Sequence, residues 1–459
     1  MGLDNSIFEK EKVGRLLLKF SVPAIISLLV AELYNMVDTL YVGRAIGASG
    51  IGALIIAFPI QRMVVAVSML IAIGTSTFVA RGLGEKDNEG IKKAVSNSIS
   101  LVIATILPLV IIIFSFKSSI IKGLGASDAI FPYAEDYITI VLIGAIFQGF
   151  TFVGNYIMMA LGDSRITLVS TSIGAVCNII IDYILVIAIP LGVKGAAIAT
   201  VISQVIAFIF TLKHFLKVKS FYNLSIKLNL QKSICMQIIS VGFTTFIIEG
   251  EDGAVVAFLT NLLASHGGDS AITTLGIISK VSFFMYITVI GISSSMQPIA
   301  AYNYGAGNYK KLREVVKKTI IAVSITSIIA WVPALVFSEQ MIGIFIKDYN
   351  IIKESAKAFR IMMAAYPLLS IYYVSLYYNQ AIGRAKHAFL LSIGKQILMV
   401  IPLSFIFIKV FNMGPMGVWI SYPIGDTTVS IASALLLKKW NVKMDRKIKR
   451  AALVETELV

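Results

Sequence analysis

Residues 101–114 read Leu-Val-Ile-Ala-Thr-Ile-Leu-Pro-Leu-Val-Ile-Ile-Ile-Phe, and residues 319–337 read Thr-Ile-Ile-Ala-Val-Ser-Ile-Thr-Ser-Ile-Ile-Ala-Trp-Val-Pro-Ala-Leu-Val-Phe. Neither run carries a charge, and the second alone approaches the roughly 20 residues that a helix needs to cross a bilayer. A helix of this length in a soluble core would need a polar face, and these runs have none. Working outward, the same texture fills the chain: 459 residues are 57% hydrophobic and 14% charged, with mean hydropathy +0.85, against about 25% charged in soluble domains. The expected fold class is therefore all-α integral membrane. Apolar runs between charged or glycine-rich breaks begin near residues 15, 51, 94, 133, 166, 195, 233, 271, 316, 358, 388 and 415. Twelve transmembrane helices leave no room for a separate catalytic domain.

The basic residues divide unevenly across these spans. With the N-terminus inside, 28 of the 40 Lys and Arg fall on one side and eight on the other, which by the positive-inside rule puts both termini in the cytoplasm. The net charge of +15 thus reflects topology and a basic tail facing anionic lipid, and requires no nucleic acid. The bases at Lys10 to Lys19 precede an apolar run without a small-residue cleavage site, so this is read as an uncleaved first helix in the plasma membrane.

The chain also repeats. Gly84-Glu-Lys-Asp-Asn-Glu-Gly-Ile-Lys92 resembles Gly305-Ala-Gly-Asn-Tyr-Lys-Lys-Leu-Arg313 at an offset of 221, and Ala160-Leu-Gly162-Asp-Ser-Arg165 matches Ala381-Ile-Gly383-Arg-Ala-Lys386 at the same offset. Gly192-Val-Lys-Gly195 matches Gly414-Pro-Met-Gly417 at 222. Three matches in register divide the helices into two pseudo-symmetric six-helix bundles related by an axis along the membrane normal. The expected organisation is an N-terminal lobe at 1–217, a cytoplasmic linker at 218–232, a C-terminal lobe at 233–437 and a basic tail at 438–459, with a substrate path between the lobes.

Seven acids lie inside apolar spans: Glu32, Asp38, Asp182, Glu249, Glu251, Asp252 and Asp426. An acid at mid-helix costs about 2.5–3.5 kcal/mol on insertion scales and by default faces a protein interior or a water cavity. Lys395 is the one strongly embedded base, so the interior is net acidic and suits cations. Glu32, Asn35 and Asp38 are spaced to share a helix face, as are Asn178 and Asp182. An amide beside a carboxylate can hold either its protonated or its ionised form, which makes Asp38, Asn178, Asp182 and Glu32 candidates for proton or cation coupling. A packing network between helices is the alternative for Asn178 and Asp182. Glu249, Glu251 and Asp252 crowd one turn and cannot all ionise without a cation; they are candidates for a second-half cation or substrate site. Asp426 faces an undetermined direction and could pair with Lys395. Tyr366, Tyr372, Tyr373, Tyr377 and Tyr378 are dense enough to attract organic cations by cation–π contact, although an interfacial aromatic belt explains some of them.

Cys177 and Cys235 lie in apolar context and His214, His266 and His387 are far apart, so no disulfide framework or metal spacing arises. No metal is expected beyond a sodium ion at Asp38, Asn178 and Asp182, and no cofactor. No GxxxxGK[ST] motif is present, so no phosphate-cradling loop for ATP is expected.

Leu33-Tyr-Asn-Met-Val-Asp38-Thr-Leu-Tyr-Val-Gly43-Arg44, followed by Gly50-Ile-Gly-Ala53, resembles the first-helix signature of multidrug and toxic compound extrusion (MATE) transporters. Gln297-Pro-Ile-Ala-Ala-Tyr-Asn303-Tyr-Gly305-Ala-Gly307-Asn308 resembles their signature after the eighth helix, Asn178 to Asp182 their fifth-helix pattern, and Gly417 to Asp426 continues the similarity near the end. The bacterial multidrug-export branch, with a glutamate at the position of Glu249, is most similar. The resemblance implies two six-helix lobes around a cleft and antiport of amphipathic or cationic drugs and toxic compounds against protons or sodium. It makes a proton or sodium gradient the energy source and places coupling at Asp38, Asn178 and Asp182, with a second cation site at Glu249 or its neighbours. Tyr34, Asn35, Tyr372, Tyr373 and Tyr377 are expected to line the substrate cleft of a monomer surrounded by lipid. One departure stands out, because the tenth helix carries tyrosines, Asn379 and Gln380 where relatives of this kind can use an acid. A lipid-linked precursor flippase is the rival expectation and would need a basic cleft. A membrane enzyme lacks any His or Ser constellation at catalytic spacing.

Overall fold

The computed structural model describes residues 7–126, 128–221, 230–346 and 348–457. Among the described residues, twelve helices are long and apolar enough to cross a membrane: α1 Val13–Ile46, α2 Ser49–Glu85, α3 Asn88–Gly123, α4 Phe131–Ala160, α5 Ile166–Ala188, α6 Gly192–Lys217, α7 Lys232–Leu263, α8 Ser270–Gly305, α9 Tyr309–Val336, α10 Tyr349–Ala381, α11 Ala385–Lys409 and α12 Met416–Val442. No strand occurs among the described residues. Helices satisfy every internal backbone group within one segment, as a hydrocarbon solvent demands.

Several helices start a turn or two before their apolar runs, and their caps say why. Asp87 accepts from the Gly90 amide at 2.8 Å at the head of α3, and Asn308 accepts from the Lys311 amide at 3.1 Å at the head of α9. At α10, Asp348 takes the Asn350 and Ile351 amides at 2.9 and 3.1 Å. Each side chain satisfies backbone donors that the helix itself leaves open, so polar, basic first turns precede the apolar stretch. Replacing Asp87 or Asn308 by Ala is expected to cost about 1 kcal/mol. A lowered melting temperature of the purified protein checks this.

Asp87 and Asn308 are themselves 221 residues apart, and the backbone repeats at that interval. Left-handed residues occur at Gly47 (φ 81°) and Gly268 (φ 62°), at Lys86 (φ 60°) and Gly307 (φ 68°), and at Gly162 (φ 102°) and Gly383 (φ 74°). Gly192 (φ 63°) and Gly414 (φ 57°) follow at an offset of 222. Left-handed turns favour glycine, so the matched glycines in the sequence mark corresponding turns of one repeated layout. Helices α5 and α11 correspond in this repeat, and both contain a π-helical segment, Tyr183–Ala188 and Gln396–Val400. A proline follows each, Pro190 and Pro402. Pro402, inside its helix, lacks an N–H and crowds the carbonyl four residues earlier, within the widened segment, whereas Pro190 stands just past the end of its segment.

The helices form two compact units. One comprises residues 1–10 and 26–250, the other 11–25 and 251–459. Helices α1 and α7 thus each change unit part-way along. Within the first unit, a Cβ on Gly74 of α2 would strike the Ile238 carbonyl, and one on Gly242 of α7 would strike the Leu70 carbonyl. Within the second unit, a Cβ on Gly291 of α8 would meet Ile25 Cγ1 of α1 at 2.6 Å, and Ser295 Oγ donates to the Phe20 carbonyl at 3.1 Å. Gly291 and Ser295 stand 221 residues after Leu70 and Gly74. Small residues let helix backbones approach this closely, and the same device seats the first part of α7 on α2 and of α1 on α8. The core of the first unit joins α2, α4 and α6 through Ala53, Ala57, Tyr137, Leu142 and Ala196. Linker residues 222–229 and tail residues 458–459 lie outside the described residues.

Candidate functional site

Asp38 comes near the end of α1, where only 9% of the residue is exposed. Across from it, α5 carries Asn178 and Asp182 one turn apart, 1% and 0% exposed. Asp182 is the last α-helical residue before the π-helical segment. The Asp38 and Asp182 carboxyls are mutual side-chain partners. Asp38 Oδ1 and both Asp182 oxygens receive no hydrogen bond from a protein donor, and neither the oxygen nor the N–H group of the Asn178 amide has a hydrogen-bond partner. Two carboxyls in contact form a hydrogen bond only when one of them is protonated; with both ionised, their repulsion in a desolvated site calls for a cation. The arrangement therefore has room for one positive charge.

The surroundings are phenolic. Tyr34 lies within electrostatic reach of Asp38, Asp182, Glu32 and Arg62. Tyr137 of α4, buried, accepts from Gln61 Nε2 of α2 at 3.3 Å, hydrogen-bonds Thr200 of α6 and stands near Asp38. Tyr137, Gln61 and Thr200 were not legible as site residues. Gln61 and Thr200 are polar groups in apolar spans, and that was the only available signal. Glu32 and Tyr34 are half-buried and Asn35 is exposed, so the polar face of α1 turns from solvent-accessible at 35 to enclosed at 38.

Glu249 also belongs to the first unit, on the part of α7 seated against α2. Its Oε2 lies 3.3 Å from Arg62 Nη1, and the Arg62 guanidinium stands 5.0 Å from the Phe58 ring centroid. The sequence grouped Glu249 with second-half acids; the structure gives it an arginine from the first half instead, because the opening of α7 packs on α2. The side chains of Glu251 and Asp252 lie outside the described residues. Among the described residues, no group of three His, Cys, Asp or Glu is placed to hold a metal ion.

The second unit has its own charged centre. Lys395 Nζ lies 3.3 Å from Asp426 Oδ1, with the residues 5% and 1% exposed. Tyrosines cluster beside it: Tyr372 and Tyr373 rings are 4.9 Å apart, and Tyr286 meets Tyr373 at 6.3 Å and Tyr366 at 5.5 Å. Tyr372 is buried and Tyr373 and Tyr377 are half-buried. Tyr366 and Tyr378 are enclosed with their hydroxyls engaged, on the Met285 carbonyl and Met444 Sδ.

Comparison with known proteins adds identity to this geometry. The MatE family model matches residues 23–184 and 254–406. The multidrug export protein MepA of Staphylococcus aureus is 27% identical over 434 residues, covering 94% of each chain. Among solved structures, a MOP superfamily transporter from Pyrococcus furiosus superposes with a TM-score of 0.90 at 22% identity, over 96% of this chain and 99% of that one. An outward-facing multidrug resistance MATE family transporter also gives 0.90 at 22% identity, over 96% and 98%.

Proposed function

The chain belongs to the MatE family of membrane transporters, and from that premise we propose that it exports amphipathic or cationic small molecules in exchange for protons or sodium ions. One observation carries the reading: the buried Asp38–Asp182 contact, with the Asn178 amide beside it and no protein donor on either Asp182 oxygen. Two carboxyls that face each other tolerate one cation well and none poorly. A proton closes a hydrogen bond between them; a sodium ion would take oxygens from Asp38, Asp182 and Asn178.

Export follows from competition. With the inorganic ion bound, one of the two negative charges is compensated, the repulsion between the carboxyls is relieved and a cationic substrate is released; when that ion leaves toward the cytoplasm, the doubly ionised pair attracts the next substrate. Glu32 extends the negative field along α1. Tyr34 and Asn35 in the first unit, and Tyr372, Tyr373 and Tyr377 in the second, supply aromatic and amide surface for flat cations. The name of the staphylococcal relative supports a multidrug range. The excess of basic residues on one side supports an orientation with both termini in the cytoplasm, and the proposal places the protein in the plasma membrane as a monomer in lipid. Residues 1–217 and 233–437 are the two halves of the sequence repeat, joined by 218–232 and followed by the basic tail.

A gradient exchange tests this. Purified protein in lipid vesicles should move ethidium when a proton gradient or a sodium gradient is imposed, and only with the coupling ion's gradient running opposite to the dye. Equal uptake with neither gradient present would reject antiport.

A further inference from the structure

Among the described residues, the Lys395–Asp426 pair is unlike the other ion pairs. The remaining pairs all keep substantial exposure, from 23% upward, whereas this one is closed off from solvent. Removing two charges from water costs several kcal/mol per ion, and only good geometry with further hydrogen bonds offsets it. That compensation is incomplete here, since neither Asp426 oxygen has a well-formed hydrogen bond. What surrounds the ammonium is aromatic: Lys395 Nζ stands 5.0 Å from the Tyr286 ring centroid. Tyr372 and Tyr373 of α10 lie within electrostatic reach, as does Tyr366 at the middle of the same helix. A carboxylate with several aromatic faces is the chemistry that recognises an organic ammonium ion.

The backbone at this point departs from a regular α-helix, as helices often do at functional sites. The π-helical segment of α11 begins at the residue after Lys395, and Pro402 removes a further N–H from the ladder. Gly425 of α12 lets that segment lie close, a Cβ there meeting Val400 Cγ2 at 3.2 Å and Met399 Cβ at 3.3 Å. Ionisable groups within a membrane span are functional candidates by default.

We infer that Asp426 with Tyr286, Tyr372 and Tyr373 forms a second organic-cation site, occupied at rest by the tethered ammonium of Lys395, which yields its proton when a substrate cation takes its place. The inference rests on the export of cations set out above and adds a site in the second unit. The site holds one positive charge at a time. As the substrate cation settles against Asp426, an Nζ–H bond of Lys395 breaks, the electron pair stays on nitrogen as a neutral amine, and the proton passes to water. Binding and proton release are then one for one, and reprotonation of Lys395 expels the substrate. The groups facing the ammonium are Asp426 from α12, Tyr286 from α8, and Tyr366, Tyr372 and Tyr373 from α10.

The test counts protons. Purified full-length protein in weak buffer near neutral pH is titrated with tetraphenylphosphonium, a permanent cation that carries no proton of its own. Asp38→Asn with Asp182→Asn silences the first unit. In that background the protein should still bind the cation and release up to about one proton per cation bound. Adding Lys395→Arg keeps a positive charge against Asp426, and so any structural ion pair, but a guanidinium does not give up its proton. Proton release should then fall at least tenfold and affinity with it. Should arginine not fit, Lys395→Gln with Asp426→Asn removes both charges together and should abolish release equally. The inference is overturned if the background variant binds no cation, if it binds without releasing protons, or if release persists after Lys395 is replaced. Failure of the first-unit reading is distinct: Asp38→Asn with Asp182→Asn would then leave proton release and gradient-driven transport unchanged.

Discussion

Asp182→Asn is expected to cut gradient-driven export at least tenfold, within the range spanned by ordinary coupling free energies, while the protein still folds. The substitution keeps the shape of the side chain and changes one property. An amide cannot ionise, and its N–H can donate to Asp38, so the variant supplies permanently the hydrogen bond that the coupling ion supplies transiently. Both Asp182 oxygens are buried without a protein donor in the native chain, so no existing hydrogen bond is lost. Thermal stability should hold or rise, because the substitution relieves the repulsion between two facing carboxyls. Dye transport in vesicles and a melting curve of the same preparation separate this outcome from simple misfolding. Asp38→Asn should lose coupling as well, and the two effects should be far from additive, since either change removes the same one-charge site.

Gly242→Ala is expected to be strongly damaging, destabilising by about 1–3 kcal/mol or more, the usual cost of overpacking. The added Cβ would meet the Leu70 carbonyl, carbon and Cα of α2, and backbone cannot rotate aside as a side chain can. Gly74→Ala runs into the Ile238 carbonyl from the other helix, so both changes prise α7 from α2. Gly276→Ala is the control, because nothing lies within 4 Å of its new methyl. There the gain in helix propensity, about 1 kcal/mol at most, should leave stability equal or improved. Melting temperatures of the three variants decide it; equal values for Gly242→Ala and Gly276→Ala would mean that the helices are not in backbone contact.

Much of the architecture could be read before any coordinates. Uncharged runs such as 101–114 forced the membrane class, and the matched segments at 84–92 and 305–313 anticipated turns whose left-handed residues recur 221 positions apart. Helix starts were less legible, since α3, α9 and α10 begin on polar caps ahead of their apolar stretches. Nor does linear spacing reveal that α1 and α7 divide between units; that follows from glycine contacts between helices distant in sequence. The same division explains Glu249, whose neighbours in sequence suggested a second-half acid cluster while its neighbour in space is Arg62. Asp38, Asn178 and Asp182 stood out because lipid penalises them. Tyr137 did not, because a tyrosine in an apolar helix is ordinary until the fold brings it to Gln61, Thr200 and Asp38.

Competition at the Asp38–Asp182 pair is measured most directly by the affinity of the purified protein for tetraphenylphosphonium as pH and sodium concentration are varied. If the coupling ion and the exported cation exclude one another, affinity falls as that ion is raised, and the slope of log affinity against log ion concentration drops by about one in the Asp38→Asn, Asp182→Asn variant. An affinity that ignores both pH and sodium in the native protein, or a slope that the double substitution leaves intact, contradicts it.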